Sequence, residues 1–477
     1  MTESGSIWRR RPPTVVGDEL PGQVQDLVIG AGITGLVTGL LLARAGRRVA
    51  VVDAGAVGAG TTGSSSAKVS LLQGTHLSEI ARRHPPDVTR AYLEANREGQ
   101  AWLRRFCETH GVPIQTRTAI TFAETTESVS KLEREFVLEQ DLGLESTWLS
   151  ELAVPFDVAA AISLEEQAQV DPLEVLQMLA DQVQKHEGSV CPHHRVVDVD
   201  ASSDLIRVRY ADGAETSAAH VVLATGTPIL DRGFHFARLE ANRSYVIALA
   251  DAEAPDGMFL SVPSPSKPTV SIRDVPDRDL VLVGGFGHVV GRTKSELGQL
   301  NGLRAWADRV FPGSTEVAAW SAQDYSSFDA VAEASVLPWS DGRIHIATGY
   351  GKWGLTNGVA AALAISADTL GEKPDWAQRL ESRLTGRASI HSLGDLARFN
   401  LAVASSMVRT MPARVTHERP VCSHLGGVLC WNDAESTWDC PLHGSRFTAG
   451  GEVIEGPAVR PMKRNGATVP TQAQRKS

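Results

Sequence analysis

The sequence of 477 residues lacks several features that would assign it to a class of protein at once. It has no excess of Lys and Arg, because its formal net charge is −10, so we expect neither a nucleic-acid partner nor an anionic membrane partner. No run of about 18 apolar residues occurs, which predicts no membrane span. The basic N-terminal stretch is not followed by an apolar segment, so no secretory signal is complete and we expect a cytoplasmic protein.

Cysteine is scarce too, and the five residues form an odd, sparse set that does not fit a secreted disulfide framework. Four soft ligands nevertheless share one short window near the end of the chain. They are arranged as Cys-x-His, fifteen residues, then Cys-x-x-His. This spacing predicts a metal centre whose ligands are Cys422, His424, Cys440 and His443.

The length predicts two to four domains, at roughly 100–200 residues per domain. The N-terminal part is polar and Pro-rich, the middle alternates strand and helix patterns, and the C-terminal part is rich in turns with short apolar pieces. We therefore predict a flexible tail over 1–22, a large domain over 23–372, a helical connection over 373–411, a small β module over 412–463, and a second tail over 464–477.

Within the large domain, periodicity predicts a strand over 25–29, a helix over 33–45 and a strand over 48–52. Further helices are predicted over 86–109 and 357–370. Further strands are predicted over 194–199, 205–210, 220–224, 244–250 and 280–284.

A glycine motif lies between the first predicted strand and helix, where residues 30–35 read G-A-G-I-T-G. In a βαβ unit, Gly30 permits the tight turn, Gly32 lets backbone approach a pyrophosphate, and Gly35 lets helix and strand pack closely. Asp53 ends the second strand, where a carboxylate accepts from ribose hydroxyls. The motif predicts a dinucleotide site, and the alternative is a glycine-rich turn in an ordinary βα unit.

Several later motifs follow in order: a Gly- and Ser-rich loop over 58–68, a strand ending in Ala-Thr-Gly at 224–226, and the sequence Thr-Gly-Tyr-Gly-Lys-Trp-Gly-Leu-Thr at 348–356. Together with the first motif, these resemble FAD-dependent oxidoreductases of the D-amino-acid oxidase, glycine oxidase and sarcosine oxidase type. The resemblance covers about residues 25–372. It implies FAD contacts at Gly30, Gly32, Gly35, Asp53, Thr62, Ser65, Val196, Gly226, Gly354, Leu355 and Thr356.

The C-terminal window resembles a Rieske cluster-binding subdomain, with C-x-H-L-G in one loop, C-P-x-H-G-S in the other, and G-P-A at 456–458. The resemblance implies a [2Fe–2S] cluster with two thiolate and two imidazole ligands. Gly427 and Leu442 replace the disulfide cysteines of respiratory members, and Ser445 is placed to donate to the cluster. Two alternatives stay open, a tetrahedral Zn²⁺ site and a relic without metal.

The two resemblances together imply an α/β fold class: a FAD-binding Rossmann-like (glutathione-reductase-type) domain with an interleaved α+β substrate domain, plus a small C-terminal all-β Rieske module. Catalytic candidates are weaker. Arg243 is a candidate clamp for a substrate carboxylate, with Tyr245 beside it, and Lys352 stands where many members have Gly. An ordinary strand position is the alternative for Arg243. Gln323, Asp324 and Tyr325 are further candidates for the pocket, and Lys68 for the flavin loop.

We therefore predict an enzyme that oxidises a C–N bond of a small amine or amino acid, by hydride transfer to FAD, and relays electrons through the [2Fe–2S] cluster to an unknown electron-carrier partner. One alternative is a simple flavin oxidase that uses O₂, with the C-terminal module as a structural metal or docking element. The other is a redox sensor without enzymatic activity.

Overall fold

The computed structural model describes residues 3–230, 235–384 and 419–463. Within these ranges the helices are α1 Ile33–Arg44, α2 His76–Arg83, α3 Pro86–His110, α4 Thr126–Asp141, α5 Pro172–Lys185, α6 Glu296–Val310, α7 Gly354–Leu370 and α8 Asp375–Ser382. The strands are β1 Glu3–Ser4, β2 Gln23–Ile29, β3 Val49–Val52, β4 Lys68–Val69, β5 Ile114–Ala123, β6 Thr147–Leu149, β7 Ala160–Val170, β8 Ser189–Cys191, β9 Val196–Asp200, β10 Ile206–Tyr210, β11 Glu215–Leu223, β12 Leu239–Ala250, β13 Met258–Ser261, β14 Val270–Val275, β15 Leu280–Val289, β16 Thr315–Ser327, β17 Glu333–Val336, β18 Ile344–Thr348, β19 Cys430–Asn432, β20 Thr437–Asp439, β21 Arg446–Thr448 and β22 Val453–Glu455.

An eight-stranded sheet carries the predicted βαβ unit. Its main path is β17-β18-β11-β2-β3-β8, with β9 and β10 continuing from β11. The strands β18, β11, β2, β3 and β8 run parallel. Parallel strands buried on both faces are nearly all apolar, as β3 is, and α1 is buried along most of its length. The carboxyl ends of the parallel strands therefore form one edge, where sheets of this kind bind ligands.

A ten-stranded sheet is interleaved with the first, because the chain leaves and re-enters each sheet more than once. Its main path is β1-β16-β12-β15-β14-β13-β5-β7-β4, and β6 pairs with β7. Alternate residues of β12 point to opposite faces. Val246 and Ala248 pack in one core with α1, and we call their side of β12 and β16 the inner face. Tyr245 and Ile247 pack with α6, and we call their side the outer face.

The prediction of a flexible N-terminal tail over 1–22 was wrong for the part that the structure describes. Strand β1 pairs in parallel with β16, and a short 3-10 helix follows at Ile7–Arg10. Ile7 and Trp8 are buried, and the Trp8 indole N–H donates to the Ser65 carbonyl at 2.8 Å. A tryptophan buried against the second glycine-rich loop ties this segment to the large domain, because its apolar area and its N–H are both satisfied there.

A small four-stranded antiparallel sheet, β19-β20-β21-β22, forms the C-terminal module. The predicted helical connection over 373–411 is described only at its start, where α8 lies, and the rest of it falls outside the described residues, as does the predicted tail over 464–477. Within the described ranges, no helix combines the length and apolar content needed to span a membrane.

Candidate functional site

The turn between β2 and α1 has no room for side chains. Gly30 has a left-handed backbone with φ of 115°, and a Cβ there would lie 2.3 Å from the Ala224 carbonyl oxygen. A Cβ at Gly35 would lie 1.7 Å from the Gly30 carbonyl oxygen. At Gly32 it would lie 3.1 Å from Thr62 Oγ1, a polar group. Glycine is thus required sterically at Gly30 and Gly35, while Gly32 opens the helix N-terminus to a ligand.

Asp53 follows β3 at the same edge of the sheet. Its Oδ2 accepts from the Ala31 backbone N–H at 2.7 Å, and its Oδ1 accepts from the Gly55 backbone N–H at 2.8 Å. Burial raises the pKa of Asp53, whereas these backbone donors and the nearby charge of Arg195 oppose the rise. Val196 is buried next to Arg195, at the start of β9. The carboxylate is therefore fixed in place beside the glycine turn.

The other predicted nucleotide residues lie at this edge too. Thr62 Oγ1 accepts from the Ile33 backbone N–H at 3.3 Å, so the second loop touches the start of α1. Ser65 Oγ accepts from the Ala67 backbone N–H at 2.9 Å. Gly226 follows β11, and Gly354, Leu355 and Thr356 form the first turn of α7, which follows β18. The structure thus brings together the carboxyl ends of β2, β3, β11 and β18 with two helix N-termini, a setting suited to a dinucleotide.

The two ligand loops of the C-terminal module have the same backbone design. The Cys422 N–H donates to the Gly427 carbonyl at 2.8 Å, and the Cys440 N–H donates to the Ser445 carbonyl at 2.8 Å. The fourth residue after each cysteine, Gly426 or Gly444, is left-handed and donates back to that cysteine's carbonyl. Both loops therefore turn back on their cysteine in the same way, although the histidine follows two residues after Cys422 and three residues after Cys440.

The four predicted metal ligands meet as two pairs. The Cys422 and Cys440 thiols are hydrogen-bonded to each other, which lowers the pKa of Cys422 and raises the pKa of Cys440. The rings of His424 and His443 lie with centroids 5.3 Å apart at an interplanar angle of 86°. Two sulfurs and two ring nitrogens held in separate pairs suit a centre with two irons.

Hydrogen bonds surround the sulfur pair. The backbone N–H of His424 and the Ser445 hydroxyl donate to Cys422, and the backbone N–H groups of Leu442 and His443 donate to Cys440. Such donors stabilise a thiolate ligand. Across residues 3–230, 235–384 and 419–463, no three or more Cys, His, Asp or Glu side chains converge on one metal position, as a tetrahedral Zn²⁺ site would require.

Ser445 also contacts the Gly-Pro-Ala segment at 456–458, since its Oγ accepts from the Ala458 backbone N–H at 3.0 Å. Gly427 and Leu442 face each other, because a Cβ on Gly427 would lie 2.7 Å from the Leu442 side chain. Respiratory members are expected to have a disulfide at these two positions. Here an apolar contact between Gly427 and Leu442 joins the two loops instead. None of the five cysteines, all of which lie in the described ranges, forms a disulfide.

The second ligand loop, residues 440–445, is docked on the large domain. Gln323 Nε2 donates to the Gly444 carbonyl at 2.8 Å, and Arg292 Nε donates to the Pro441 carbonyl at 3.2 Å. A Cβ on Gly444 would lie 2.3 Å from the Ala241 Cβ, so only glycine permits this approach. Further hydrogen bonds join Ser295 to Asp433, Arg195 to Val453 and Tyr325 to Gly456.

Arg243 belongs to this interface, and the structure does not place it in a substrate pocket. Its side chain is fully buried on the outer face, with Nη1 2.6 Å from Glu435 and Nη2 3.4 Å from Asp439. Nη2 also donates to Gln323 at 2.7 Å. Burial alone would lower the pKa of Arg243, but the two carboxylates of the module more than offset it. The guanidinium is therefore charged and occupied by groups of the chain itself.

Tyr245 lies on the outer face as well, buried, with its hydroxyl 3.0 Å from His288 Nε2. Lys68 is buried between strands, where Nζ donates to the Phe259 carbonyl at 2.5 Å and to Ser271 Oγ at 2.9 Å. Burial lowers the pKa of Lys68 to about 7. These contacts make Tyr245 and Lys68 packing residues in this structure, and we withdraw Arg243 and Tyr245 as catalytic candidates.

One polar residue on the inner face, Ser244, was not predicted from the sequence. Ser244 lies between Arg243 and Tyr245, so its side chain points to the opposite side of the sheet. A Cβ on Gly287 would lie 2.8 Å from Ser244 Oγ and 2.9 Å from Lys352 Nζ, and the Lys352 backbone N–H donates to the Asp324 carboxylate. The alternation of side chains along β12 was the signal that could have found it. Using that signal requires knowing whether Ser244 or Arg243 points to the inner face, which depends on the core residues that pack against each side.

Comparison with known proteins agrees with both halves of this geometry. A family model described as "DAO: FAD dependent oxidoreductase" matches residues 27–367, and one described as "Rieske [2Fe-2S] domain" matches residues 407–470. The chain is 28% identical over 480 positions to a Bacillus subtilis (strain 168) protein named putative Rieske 2Fe-2S iron-sulfur protein YhfW, with 92% of each chain covered.

Two solved structures have the same fold at low identity. Glycine oxidase from Geobacillus kaustophilus aligns with a TM-score of 0.63 at 16% identity, covering 74% of this chain and 96% of that one. L-amino acid deaminase from Proteus vulgaris aligns with a TM-score of 0.62 at 17% identity, covering 76% and 97%. The predicted fold class and both predicted cofactors are confirmed. The chain belongs to the DAO family of FAD-dependent oxidoreductases and carries a C-terminal Rieske [2Fe–2S] domain.

Proposed function

We propose that this chain oxidises a C–N bond of a small amine or amino acid and relays the electrons one at a time between its flavin site and its Rieske cluster. One observation carries the proposal, which is the contact made by Tyr325. Its ring lies 3.5 Å from a Cβ position on Gly226, at the predicted flavin edge, and its hydroxyl donates to the Gly456 carbonyl of the module at 3.2 Å. A single side chain thus connects the two cofactor sites.

The residues present fit both groups. The glycine turn and the N-termini of α1 and α7 would hold the phosphates and the pyrimidine side of FAD, and Asp53 would accept from the ribose. The cysteine pair would hold one iron and the histidine pair the other. When bound, FAD supplies an acceptor for a hydride from the carbon next to nitrogen, and the cluster supplies a one-electron store.

Groups of the chain itself support electron transfer in two ways, by stabilising charge on the cluster ligands and by holding the second ligand loop in place. The Ser445 hydroxyl and the backbone N–H groups of the ligand loops stabilise negative charge on sulfur, which favours the reduced centre. Gln323 and Arg292 fix the second ligand loop on the sheet. The printed names of the structural neighbours, an oxidase and a deaminase of amino acids, support an amino compound as substrate. We also propose a cytoplasmic location and a separate protein or small molecule that exchanges electrons with the cluster.

The test is an anaerobic screen of amines and amino acids against purified protein that contains iron and flavin. A substrate is expected to bleach the flavin bands and to produce the rhombic EPR signal of a reduced two-iron cluster. The matched variant Cys440→Ser should still bleach with that substrate but give no EPR signal. Equal peroxide formation by both proteins in air, with an oxidised cluster in the unchanged protein, would instead support the simple flavin oxidase.

A further inference from the structure

The two ligand loops of the module differ in their exposure. Residues 440–445, which include His443, are all buried, since this loop is docked on the large domain. The first ligand loop, residues 422–427, reaches the surface instead. There His424 is half-buried, and the next residue, Leu425, is 41% exposed. One histidine ligand therefore belongs to the docked loop, and the other lies where a second molecule can approach the cluster.

Three cations surround the exposed loop. Arg460 lies next to it, because the Ser423 hydroxyl donates to the Arg460 carbonyl at 2.5 Å. Lys463 pairs with Val421, the residue before the first cysteine ligand, through two backbone hydrogen bonds of 3.0 and 3.1 Å. Arg419 precedes Val421 by two residues. All three cations are exposed residues, so positive charge borders the loop at the surface.

The charge of this surface is opposite to that of the whole chain. We call the surface formed by residues 419–429 and 456–463 the basic face, because these two segments contain the three cations and no Asp or Glu, while the chain has a net charge of −10. The module has another exposed apolar side chain, Ile454, but Glu452 and Glu455 flank it in sequence. An apolar centre surrounded by charges of one sign suits a partner whose surface has the opposite sign.

We propose that the basic face binds an acidic electron-carrier protein, which exchanges electrons with the cluster through the loop that carries His424. The inference rests on the proposed function, which it deepens by naming the class of partner. Leu425 supplies apolar contact at the centre of the face, and the three cations attract carboxylates of the carrier at the rim. The exchange moves one electron and no atoms, so the carrier is oxidised as the cluster is reduced, or the reverse.

A protein partner fits the basic face better than a membrane or a nucleic acid does. Anionic membranes and nucleic acids are bound by larger clusters of Lys and Arg, whereas this face has three cations on a chain of net charge −10. The face also includes a predicted ligand of the cluster, which a partner must approach closely if it is to exchange electrons. A carrier protein with a local patch of carboxylates meets both conditions.

The experiment measures binding of the full chain, with iron and flavin bound, to immobilised carriers by surface plasmon resonance. Plant-type [2Fe–2S] ferredoxin and flavodoxin are the acidic probes, and cytochrome c is the basic probe. One variant combines Arg419→Gln, Arg460→Gln and Lys463→Gln. It should weaken binding of at least one acidic carrier about tenfold or more, and it should reduce the dependence of that binding on salt concentration.

Matched controls separate the basic face from net charge and from apolar area. A second triple variant, Arg48→Gln, Arg90→Gln and Arg105→Gln, changes three exposed cations of the large domain and has the same net charge as the first. It should leave binding of the acidic carriers unchanged, whereas cytochrome c should respond equally to both triple variants. Leu425→Ala should weaken binding of the acidic carriers, and Ile454→Ala, which shortens a side chain that is 42% exposed, should not.

A second measurement follows the electron itself. Reduced ferredoxin should reduce the oxidised cluster in stopped-flow absorption, because plant-type ferredoxins have lower potentials than Rieske centres. The second-order rate constant should fall in the basic-face triple variant and persist in the control triple variant. The EPR spectrum of each protein after reduction with dithionite checks that the cluster is intact.

Three results would overturn the proposal. They are equal effects of the two triple variants on the acidic carriers, no binding of either acidic carrier to the unchanged protein, and binding to vesicles of phosphatidylglycerol that the basic-face variant loses. The last result would assign the basic face to a membrane.

Failure of this proposal is distinguishable from failure of the proposed function, because carrier binding requires no amine. A substrate that reduces flavin and cluster in a protein that binds neither acidic carrier would overturn the docking proposal and keep the relay. Carrier binding that depends on the basic face, in a protein whose flavin no amine bleaches, would keep the docking proposal and overturn the oxidation.

Discussion

At the scale of single residues, Arg243 joins the two domains through charge. Its guanidinium is buried between Glu435 and Asp439, and Arg446 binds the same Glu435 at 2.6 Å. Removing one partner of a buried ion pair leaves an uncompensated charge in an apolar setting. Arg243 thus holds the module in position on the sheet, and with it the loop that carries His443.

We predict that Arg243→Met lowers the free energy of unfolding by about 3 kcal/mol. It should also slow electron transfer from flavin to cluster without weakening substrate binding, because the residue lies on the outer face. Chemical unfolding followed by flavin fluorescence measures the first effect, and stopped-flow absorption the second. Arg304→Met is the control: Arg304 pairs with Glu316 in a partly exposed setting, and it should cost at most about 1 kcal/mol. Weaker substrate binding in Arg243→Met would restore the clamp hypothesis.

A second single residue, Glu139, makes the stability of the folded protein depend on pH. Burial in α4 raises the pKa of Glu139 to about 8, although the Ser146 hydroxyl favours the charged form. Between its unfolded value of about 4.3 and the folded value, the folded state binds the extra proton, so stability falls as pH rises. The loss approaches about 1.4 kcal/mol per pH unit.

We therefore expect Glu139→Gln to flatten the dependence of Tm on pH between pH 5 and pH 8 and to be the more stable protein at pH 8. The exposed Glu133 on the same helix supplies the control Glu133→Gln, which should follow the unchanged protein. Parallel Tm curves for all three proteins would show that Glu139 stays ionised in the folded state.

At the scale of elements, the N-terminal segment braces the second glycine-rich loop. Trp8 donates to the Ser65 carbonyl, and Arg9 donates to the Ala59 carbonyl at 2.5 Å and to Ser64 Oγ at 3.3 Å. The guanidinium groups of Arg273 and Arg278 lie 5.4 and 5.2 Å from the centroid of the Trp8 ring. The loop that we assign to FAD therefore depends on a segment more than fifty residues away.

Trp8→Phe removes the indole N–H and leaves the Ser65 carbonyl without its donor. Such a loss costs about 1–3 kcal/mol, so the variant should release FAD at lower denaturant concentration than the unchanged protein. Recovery of flavin fluorescence during a urea titration measures the release. Trp339→Phe changes an exposed tryptophan and should have no effect. Identical release curves for both variants would mean that the segment does not support the cofactor loop.

Comparing the predicted with the observed helices and strands shows which of them could be predicted from the sequence. Local signals were sufficient for the βαβ unit: β2, α1 and β3 end within two residues of the predicted bounds. Strand β12 was predicted to start five residues late, because its first part is held by pairing with β16 rather than by its own pattern. The prediction of a flexible tail over 1–22 was wrong because Trp8 is buried against residues far along the chain. The face of the sheet to which Arg243 points could not be predicted from strand propensity or motif spacing, because its carboxylate partners come from the distant C-terminal module.

At the scale of the whole molecule, the structure joins a two-electron site and a one-electron site through a fixed interface. The ligand loop 440–445 lies against β12, β16 and the turn that follows β15, and Tyr325 reaches from that interface to Gly226. Side chains of the large domain donate to backbone carbonyls of the loop, and glycine permits a close approach at Gly291 and Gly444, so these contacts fix the position of the module. The relay that we propose therefore requires no large domain movement.

The most direct test of this account is freeze-quench EPR during one anaerobic turnover with a substrate from the screen. Flavin absorption is recorded in parallel at each time point. We predict that the signal of the reduced two-iron cluster grows as the fully reduced flavin bands decline, and that Arg243→Met delays this growth. A flavin that remains fully reduced beside an oxidised cluster throughout the turnover would contradict it.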